Sequence, residues 1–528
     1  MSPMPIRQRK RQTHERSDSL TVNENQILAS VELVVGNSFT DVIGLDGGPL
    51  YQYFRSVLSY ETDAHLWSSR GQNWDGRVSV VCRGGKYCRC RHKSPNVHFP
   101  TGLLYMAKEF FAVASKQCII TDARELPPKN KNIELFDGLV LRDYQQETID
   151  VAVAKGRGII KAATGAGKTV ICAGIIKQLQ RSPALFLVTS RDLMEQAASE
   201  FERFLREDGK PIVVGRVCGG ICNLADITVM TVQTAVRCLG DKYEKFDEED
   251  GDESASSIGE NDKSKILNFI KNSTVMFCDE VQHWAAKTCQ FVSSACVNAR
   301  FRFGVSATPW RDLNDDMLID SCFGRAFADI KASDLIQRGV LVQPKIYFIK
   351  TSSRQGGTYP QVYKECVVNN ELRNKAIAEY AIKLREEGRK ILVLIRQIDH
   401  GRILNDMIPN SVFINGLDPT NVREKCFNDM RSGISGAVCI ATSIFDEGID
   451  VRPLDALILG GSGKSSTRAL QRIGRVIRCF EGKKDAIVVD FDDDVKYLRK
   501  HSKARKKIYE TEPLYQIKKI VPSIPIVK

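Results

Sequence analysis
No apolar run in these 528 residues approaches the roughly 18 that a membrane-spanning helix needs; Leu185–Val188 and Ile391–Ile395 are strand-length. The basic cluster Arg7, Arg9, Lys10 and Arg11 has no apolar segment behind it, which excludes a secretory signal. Cys-x2-Cys pairs are missing as well. The sixteen cysteines are scattered through predicted strands and helices, which reads as reduced intracellular thiols and not as a disulfide scaffold.

What is present is an ordinary globular composition, 43% hydrophobic and 27% charged, on a length that suits several domains. The formal charge of +12 favours an anionic polymer as partner. Residues 1–24 are polar, basic and aperiodic, the pattern of a disordered tail. Residues 25–125 predict a separate small α/β domain. It has strand character over Ile27–Val35, a Gly84-Gly85 turn between strands Arg77–Arg83 and Lys86–Lys93, a helix over Gly102–Ser115 and a strand at Cys118–Thr121. Cys82, Cys88, Cys90, His92 and His98 raise the question of zinc. On a strand, however, Cys88 and Cys90 would lie about 6.7 Å apart, against about 3.8 Å between two thiolates on one zinc, so the spacing argues against a metal. Arg83, Lys86, Arg89, Arg91 and Lys93, interleaved with Tyr87, form either a phosphate-tracking ribbon or a solvated basic hairpin.

Residues 126–138, opened by Pro127-Pro128, suit a linker. From residue 139 strands and helices alternate, which predicts an α/β protein with doubly wound parallel sheets, one over 139–332 and another over 333–495. Residues 241–262, around Asp247-Glu248-Glu249-Asp250, interrupt the first as an acidic disordered insertion. Residues 496–528 are a basic extension. There Lys496, Arg499, Lys500, Lys503, Arg505, Lys506 and Lys507 crowd one helical stretch suited to phosphate contact.

The chemistry begins at Ile159–Val170. An apolar strand runs into a small-residue loop and then a helix, the order a phosphate-binding loop requires. Gly165 and Gly167 permit backbone angles that turn successive N–H groups onto phosphate oxygens. Lys168 is placed for the β- and γ-phosphates of ATP and Thr169 for Mg²⁺. Ala162 stands where the strict pattern has Gly. Downstream, the apolar strand Val275–Cys278 ends in Asp279-Glu280. Asp279 can hold Mg²⁺ and Glu280 can orient and deprotonate the attacking water.

Together with their neighbours, these elements make residues 139–480 resemble the helicases and translocases of superfamily 2. Leu141–Gln145 is similar to the leader in which Gln145 and Arg142 meet the base, and Ala162–Thr169 to motif I, with Thr164, Gly165, Ala166, Gly167, Lys168 and Thr169 around the phosphates. Thr189-Ser190-Arg191 resembles motif Ia, and Thr231-Val232-Gln233-Thr234 the next strand-contacting motif. The resemblance thus implies nucleic-acid contacts at Thr189, Arg191, Thr231 and Gln233. Asp279–His283 is similar to the DExx box and Ser306-Ala307-Thr308-Pro309 to motif III, which implies coupling roles for His283, Ser306 and Thr308. Ile440–Val451 is similar to motif V, with a strand contact at Thr442 and nucleotide contacts at Gly448 and Asp450. Gln471–Arg478 is similar to motif VI, with Gln471, Arg475 and Arg478 sensing the γ-phosphate. Arg475 and Arg478 are three apart, so a shared helix face is expected, from which two guanidinium groups speed phosphoryl transfer about 10³-fold or more. Supplied by a second lobe, they would tie hydrolysis to lobe closure, and reopening to movement along the strand.

The resemblance implies two tandem RecA-like parallel-sheet lobes with a small N-terminal α/β domain. The Asp-Glu-Val-Gln-His box and the Leu-Arg-Asp-Tyr-Gln leader are similar to the group of UvsW-like branch-migration helicases, XPB-like translocases and restriction motor subunits. Trp74-Asp75-Gly76 and Phe99–Leu104 resemble the UvsW-like leader domain. Arg311-Asp312 departs from the Arg-Glu-Asp of XPB-like proteins, and no Asp…Glu-x-Lys nuclease core can be placed. The expectation is an ATP- and Mg²⁺-dependent helicase or translocase that remodels duplex, single-stranded or branched DNA in recombination, replication or repair. DNA is preferred to RNA, no membrane is involved, and the setting is intracellular, a virus-infected host cell included. A transcription-linked motor that releases transcripts or opens promoters, and a nucleotide-gated binding switch, are the alternatives. Intact Lys168, Glu280, Arg475 and Arg478 disfavour the switch.

Overall fold
A computed structural model of the chain describes residues 30–61, 76–88, 90–115, 117–240, 258–283, 286–309, 316–352, 356–431, 436–442, 454–461, 463, 466–520 and 526–527. They fall into two compact units, one reaching from the N-terminal sheet to Asp329 apart from the turn Ala163–Ala166, the other from Ile330 onward. Among the described residues no helix is long and apolar enough to cross a membrane. The predicted basic tail of residues 1–24 lies outside them.

The first unit opens with a four-stranded sheet in the order Val97–Pro100, Phe39–Ile43, Val31–Val35, Cys118–Asp122. Helix Leu104–Ala114 buries Phe110 and Phe111, and Phe54 of helix Pro49–Val57 packs against both and against Phe99. The segment therefore has a core of its own. Among the described residues of 86–93 the expected strand does not form. Gly84 and Gly85 take φ of 80° and 56°, and a 3-10 turn, Gly85–Tyr87, comes next. A Cβ on Gly84 would strike the Asn96 carbonyl, so the chain doubles back on itself where a strand would run on.

This sheet is joined tightly to the rest of its unit. Gly102 lies against the carbonyls of Asp320 and Ser321, too close for any side chain. Arg302 is 1% exposed and donates to the carbonyls of Ala299, Ser293 and Cys296 and, at 2.7 Å, to the Ser38 hydroxyl. Arg157 donates to the Asn37 carbonyl at 2.8 Å. The expected linker is partly structured as well. Ile133–Leu135 pairs with Leu205–Glu207, and the Gln180 amide bonds both backbone groups of Ile133 at 2.7 Å.

The larger sheet of this unit has eight strands in the order Ile221–Asn223, Val214–Cys218, Ile227–Thr231, Ala184–Val188, Val275–Asp279, Phe301–Ser306, Arg157–Ala162, Ala326–Ile330. From Val214–Cys218 through Arg157–Ala162 every pairing is parallel. Ala184–Val188 is buried at every position, as a strand covered on both faces must be. The preceding helix Asp143–Lys155 stops at Gly156, whose φ of 70° turns the chain into the strand that carries the phosphate loop. Of the expected acidic insertion, residues 241–257 lie outside the described residues, while 260–262 open helix Glu260–Asn272. Glu260 and Asp262 suit the positive end of its dipole, and Ile266, Phe269 and Ile270 bury its inner face.

The second unit is built on another parallel sheet, in the order Ser411–Ile414, Val438–Ala441, Ile391–Leu394, Ala456–Leu459, Ala486–Asp494, Pro344–Ser352, Gln516–Ile520. The basic extension is thus an integral part of it: Gln516–Ile520 is a strand of the sheet, and helix Leu498–Tyr509 packs against strand Ala486–Asp494. Arg505 does not belong to an exposed basic face, because it is 2% exposed and forks onto Asp490 at 2.9 and 3.0 Å, with Tyr509 donating to the same carboxylate at 2.7 Å. Removing one partner strands a charge in the interior. Arg505→Ala should therefore lower unfolding stability by about 3–5 kcal/mol in a denaturant titration, whereas Lys503→Ala on the same helix should cost under about 0.5 kcal/mol.

His400 offers a second test of this unit. It is wholly buried with Nε2 2.9 Å from the Asn374 amide oxygen, and burial, reinforced by the Arg373 charge, pushes its pKa down to about 3. The unfolded imidazole accepts a proton that the folded one refuses. Stability should accordingly fall as pH drops from about 6.5 toward 3 and rise with pH across that window. In a series of thermal melts the His400→Gln protein should show a shallower loss between pH 7 and pH 5.

Candidate active site
Three strand ends place the first half of the site. Arg157–Ala162, Phe301–Ser306 and Val275–Asp279 lie side by side and parallel, with Ser306 level with Lys161 and Asp279 level with Val305. Residues just beyond these carboxyl ends must meet in one crevice. Gly165 and Gly167 have φ of 93° and 82°, and Gly167 caps helix Lys168–Leu179, whose first turn carries Lys168 and Thr169. A Cβ on Gly167 would lie 2.5 Å from the Gln145 amide nitrogen. Gln145 itself is 2% exposed, and its amide oxygen accepts the Arg142 N–H at 3.0 Å. Its side chain therefore braces the phosphate loop from beneath, while Arg142 is exposed.

Lys168 and Glu280 form a direct ammonium–carboxylate contact, and Asp279 Oδ1 stands 3.8 Å from the same nitrogen. The three side chains are 18, 19 and 21% exposed, so water screens this cluster only in part. Burial pushes the Asp279 carboxyl up to about 6; the Lys168 charge opposes the shift and the Glu280 charge adds to it. Glu280 has a φ of 46°, unusual for a residue with a side chain. Its second oxygen is held by the Gln282 amide at 2.8 Å and faces the Ser306 hydroxyl at 3.3 Å. Ser306 also bonds the Gln282 amide oxygen and accepts the Thr308 N–H at 2.9 Å. Motif III is thereby joined to the DExx carboxylate through Gln282, a residue the sequence reasoning passed over. Its signal was its place in the box, two after Glu280 and on the buried side of the turn.

Thr189 and Arg191 sit at the start of helix Arg191–Phe204, where Ser190 accepts the Leu193 N–H at 3.3 Å; Arg191 is exposed. Thr231 and Gln233 are 0 and 5% exposed. The Thr231 hydroxyl bonds Thr234, and the Gln233 amide donates to the Thr189 carbonyl at 2.6 Å. Gln233 thus holds the Thr189 turn in place, and both side chains turn these polar atoms inward.

In the second unit, Thr442 is 8% exposed at the end of strand Val438–Ala441. Gln471 and Arg475 lie on helix Ser466–Val476. Arg478 does not share their helix face, since the helix ends at Val476 and Arg478 forms a β-bridge with Leu341. Gly448, Asp450 and Trp74 lie outside the described residues, as does the side chain of His283.

Residues 138–311 match the family model of the type III restriction enzyme res subunit, and residues 373–480 that of the conserved helicase C-terminal domain. The chain is similar to the ATP-dependent DNA helicase uvsW of Enterobacteria phage T4, 24% identical over 87% of this chain and 89% of the relative. It is also similar to the DNA 3'-5' translocase XPB2 of Sulfurisphaera tokodaii, 25% identical over 67% of this chain and 82% of the relative. Among solved structures, the type ISP restriction-modification enzyme LlaBIII bound to DNA shares the fold, with a TM-score of 0.52 at 14% identity over 79% of this chain and 36% of that one. The crystal structure of T4 UvsW matches 94% of this chain and all of that one at 21% identity, with a TM-score of 0.42.

Proposed function
Since the chain is a superfamily 2 helicase of the UvsW- and XPB-like group, an ATP-hydrolysing enzyme, we propose that it translocates on DNA and remodels branched or duplex forms of it. The observation that carries the proposal is the joined set Lys168, Glu280, Gln282 and Ser306, an ATPase centre linked by hydrogen bonds to motif III. The DNA assignment rests on relatives whose names state DNA helicase and DNA translocase activity.

Lys168 and Glu280 hold each other. A triphosphate cradled by the N–H groups of Thr164–Thr169 offers the ammonium a more highly charged partner. Glu280 is then freed to orient the attacking water and take its proton, while Gln282 and Ser306 keep its second oxygen in place. Thr169 and Asp279 supply the hard oxygens that Mg²⁺ requires, and a carboxyl pushed up to about 6 by burial is one that a cation would stabilise in its charged form. Bound there, Mg²⁺ would neutralise charge developing on the phosphate oxygens. Gln471, Arg475 and Arg478 would bring further donors and positive charge to the transferred group, with Arg142, Gly448 and Asp450 as proposed nucleotide contacts. Thr189, Arg191 and Thr442 contact the strand, with Ser306, Thr308 and His283 coupling it to ATP.

Glu280→Gln should still bind ATP but lose turnover by about 10²-fold or more, and Lys168→Ala should lose turnover while remaining folded by circular dichroism. Rapid hydrolysis by either variant contradicts its assigned role. ATPase stimulation should be greatest with a four-way junction or duplex DNA, weaker with single-stranded DNA and weakest with RNA. Strongest stimulation by RNA overturns the substrate assignment.

A further inference from the structure
The cysteines of the N-terminal domain converge where the sequence pattern argued they could not. Cys82 and His98 face each other across an antiparallel bridge, exchanging backbone bonds of 2.8 and 2.9 Å, so their side chains leave the same face. The segment between them folds back at Gly84-Gly85 and through the turn Gly85–Tyr87, which returns Cys88 and Cys90 to that pair. Cys88 Sγ lies 3.3 Å from Cys90 Sγ and 3.8 Å from His98 Nε2, and Cys90 Sγ lies 2.9 Å from that nitrogen. All four potential ligand atoms, Cys82 Sγ included, fall within 4.8 Å of one another. Zinc bound at about 2.3 Å to sulfur and about 2.0 Å to nitrogen spans a tetrahedron with edges of roughly 3.5–3.8 Å, so changes of about an ångström or less in these separations would complete it.

We propose that Cys82, Cys88, Cys90 and His98 bind one structural Zn²⁺ ion. The imidazole is already oriented for this. His98 is wholly buried, and its Nδ1 lies 2.8 Å from the Asn96 carbonyl, a bond that places the proton on Nδ1 and leaves the Nε2 lone pair facing the sulfurs. Three thiolates and an imidazole select zinc over the hard cations Mg²⁺ and Ca²⁺, and a set of four protein ligands closes the shell against substrate, which makes the role structural.

The surroundings give the ion a task. Among the described residues of the segment 81–97, only Val81 and Val97 join the domain's apolar core, so little hydrophobic burial among them holds it. Yet it carries Arg91, whose guanidinium lies 4.4 Å over the Phe291 ring and 3.3 Å from the Leu239 carbonyl, and His92, whose Nε2 is 3.0 Å from Asp41. Zinc would hold the hairpin in the shape that presents Arg91 to the ATPase core. This inference does not depend on the helicase assignment.

The test uses the full-length chain purified untagged and without chelators. Elemental analysis by mass spectrometry should find about one zinc per chain, falling to roughly a tenth or less in Cys90→Ser and His98→Ala, while Cys118→Ser, in the same domain but outside the cluster, retains it. Because the variants could misfold, the wild-type chain is also exchanged into Co²⁺, where an intense thiolate-to-cobalt charge-transfer band with tetrahedral d–d absorption is expected. Zinc near zero in the wild type, retention of zinc in both ligand variants, a cobalt spectrum without thiolate ligation, or a Cys88–Cys90 disulfide in non-reducing peptide maps would each overturn the proposal.

Discussion
One cation shared between two carboxylates sets the character of the ATPase centre. Lys168 touches Glu280 and stands 3.8 Å from Asp279, and a single ammonium cannot neutralise both. At such a separation a charge pair in an effective dielectric near 20 is worth about 4 kcal/mol, comparable with what burial withdraws from one carboxylate. That balance explains why Asp279 stays pushed up to about 6 despite the ammonium beside it. The same arithmetic accounts for the geometry of Glu280. A φ of 46° is unfavourable by roughly 1–2 kcal/mol. It persists because the side chain is held at both oxygens, by Lys168 on one and by Gln282 and Ser306 on the other. The register of three adjacent parallel strands makes the arrangement possible, since it levels Asp279 with Val305 and Lys161 with Ser306.

What was legible in the chain was chemistry carried by short, contiguous segments. The strand, turn and helix at Ile159–Val170 could be read because their signals lie within a few positions of one another: glycines for the angles at Gly165 and Gly167, and a helix directly behind. Buried parallel strands such as Val275–Asp279 were legible for the same reason, an unbroken apolar run ending in acids. Readings failed where a local period was carried past the end of its element. The three-residue spacing of Arg475 and Arg478 implies a shared face only while the helix lasts, and it ends at Val476. Cys88 and Cys90 are far apart on a strand but 3.3 Å apart after a 3-10 turn. Arg505 looked like one more exposed cation in a basic helix, and only the strand carrying Asp490 reveals that it is buried. Thr231 and Gln233 matched a strand-contacting motif by type, but burial turned their polar atoms inward, onto Thr234 and the Thr189 carbonyl.

The N-terminal domain shows the same limit at a larger scale. Its strands and helix were recognisable, and it keeps its own core, yet it forms one compact unit with the first ATPase sheet. Side-chain pairs such as Tyr105–Asp320 and Arg325–Glu109 cross the join, but part of it is made by backbone groups, which sequence hides. Gly102 is a glycine because the carbonyls of Asp320 and Ser321 lie against it, and Arg302 takes its acceptors mainly from carbonyl oxygens. An arginine buried without a carboxylate would be costly, since each unsatisfied donor forfeits a hydrogen bond to water. Here the Ser38 hydroxyl supplies one of those acceptors, so the charge inside the ATPase lobe is satisfied in part by the domain packed upon it.

Two polar contacts flank the helix that lies between the cysteine hairpin and the turn at Thr189. Arg91 donates to the Leu239 carbonyl, just past the end of helix Val232–Cys238, where a cation complements the negative end of the helix dipole. At the opposite end of that helix, Gln233 secures the turn at Thr189 while Thr231 bonds Thr234 of the helix's own first turn. Hydrogen bonds at both ends add directional restraint to this buried helix, and the hairpin that carries Arg91 supplies the one at its C-terminal end. A hairpin with two core valines has little means to be rigid from hydrophobic burial, which is why a four-ligand metal centre at its base would matter to the lobe as a whole and not only to the loop that contains it.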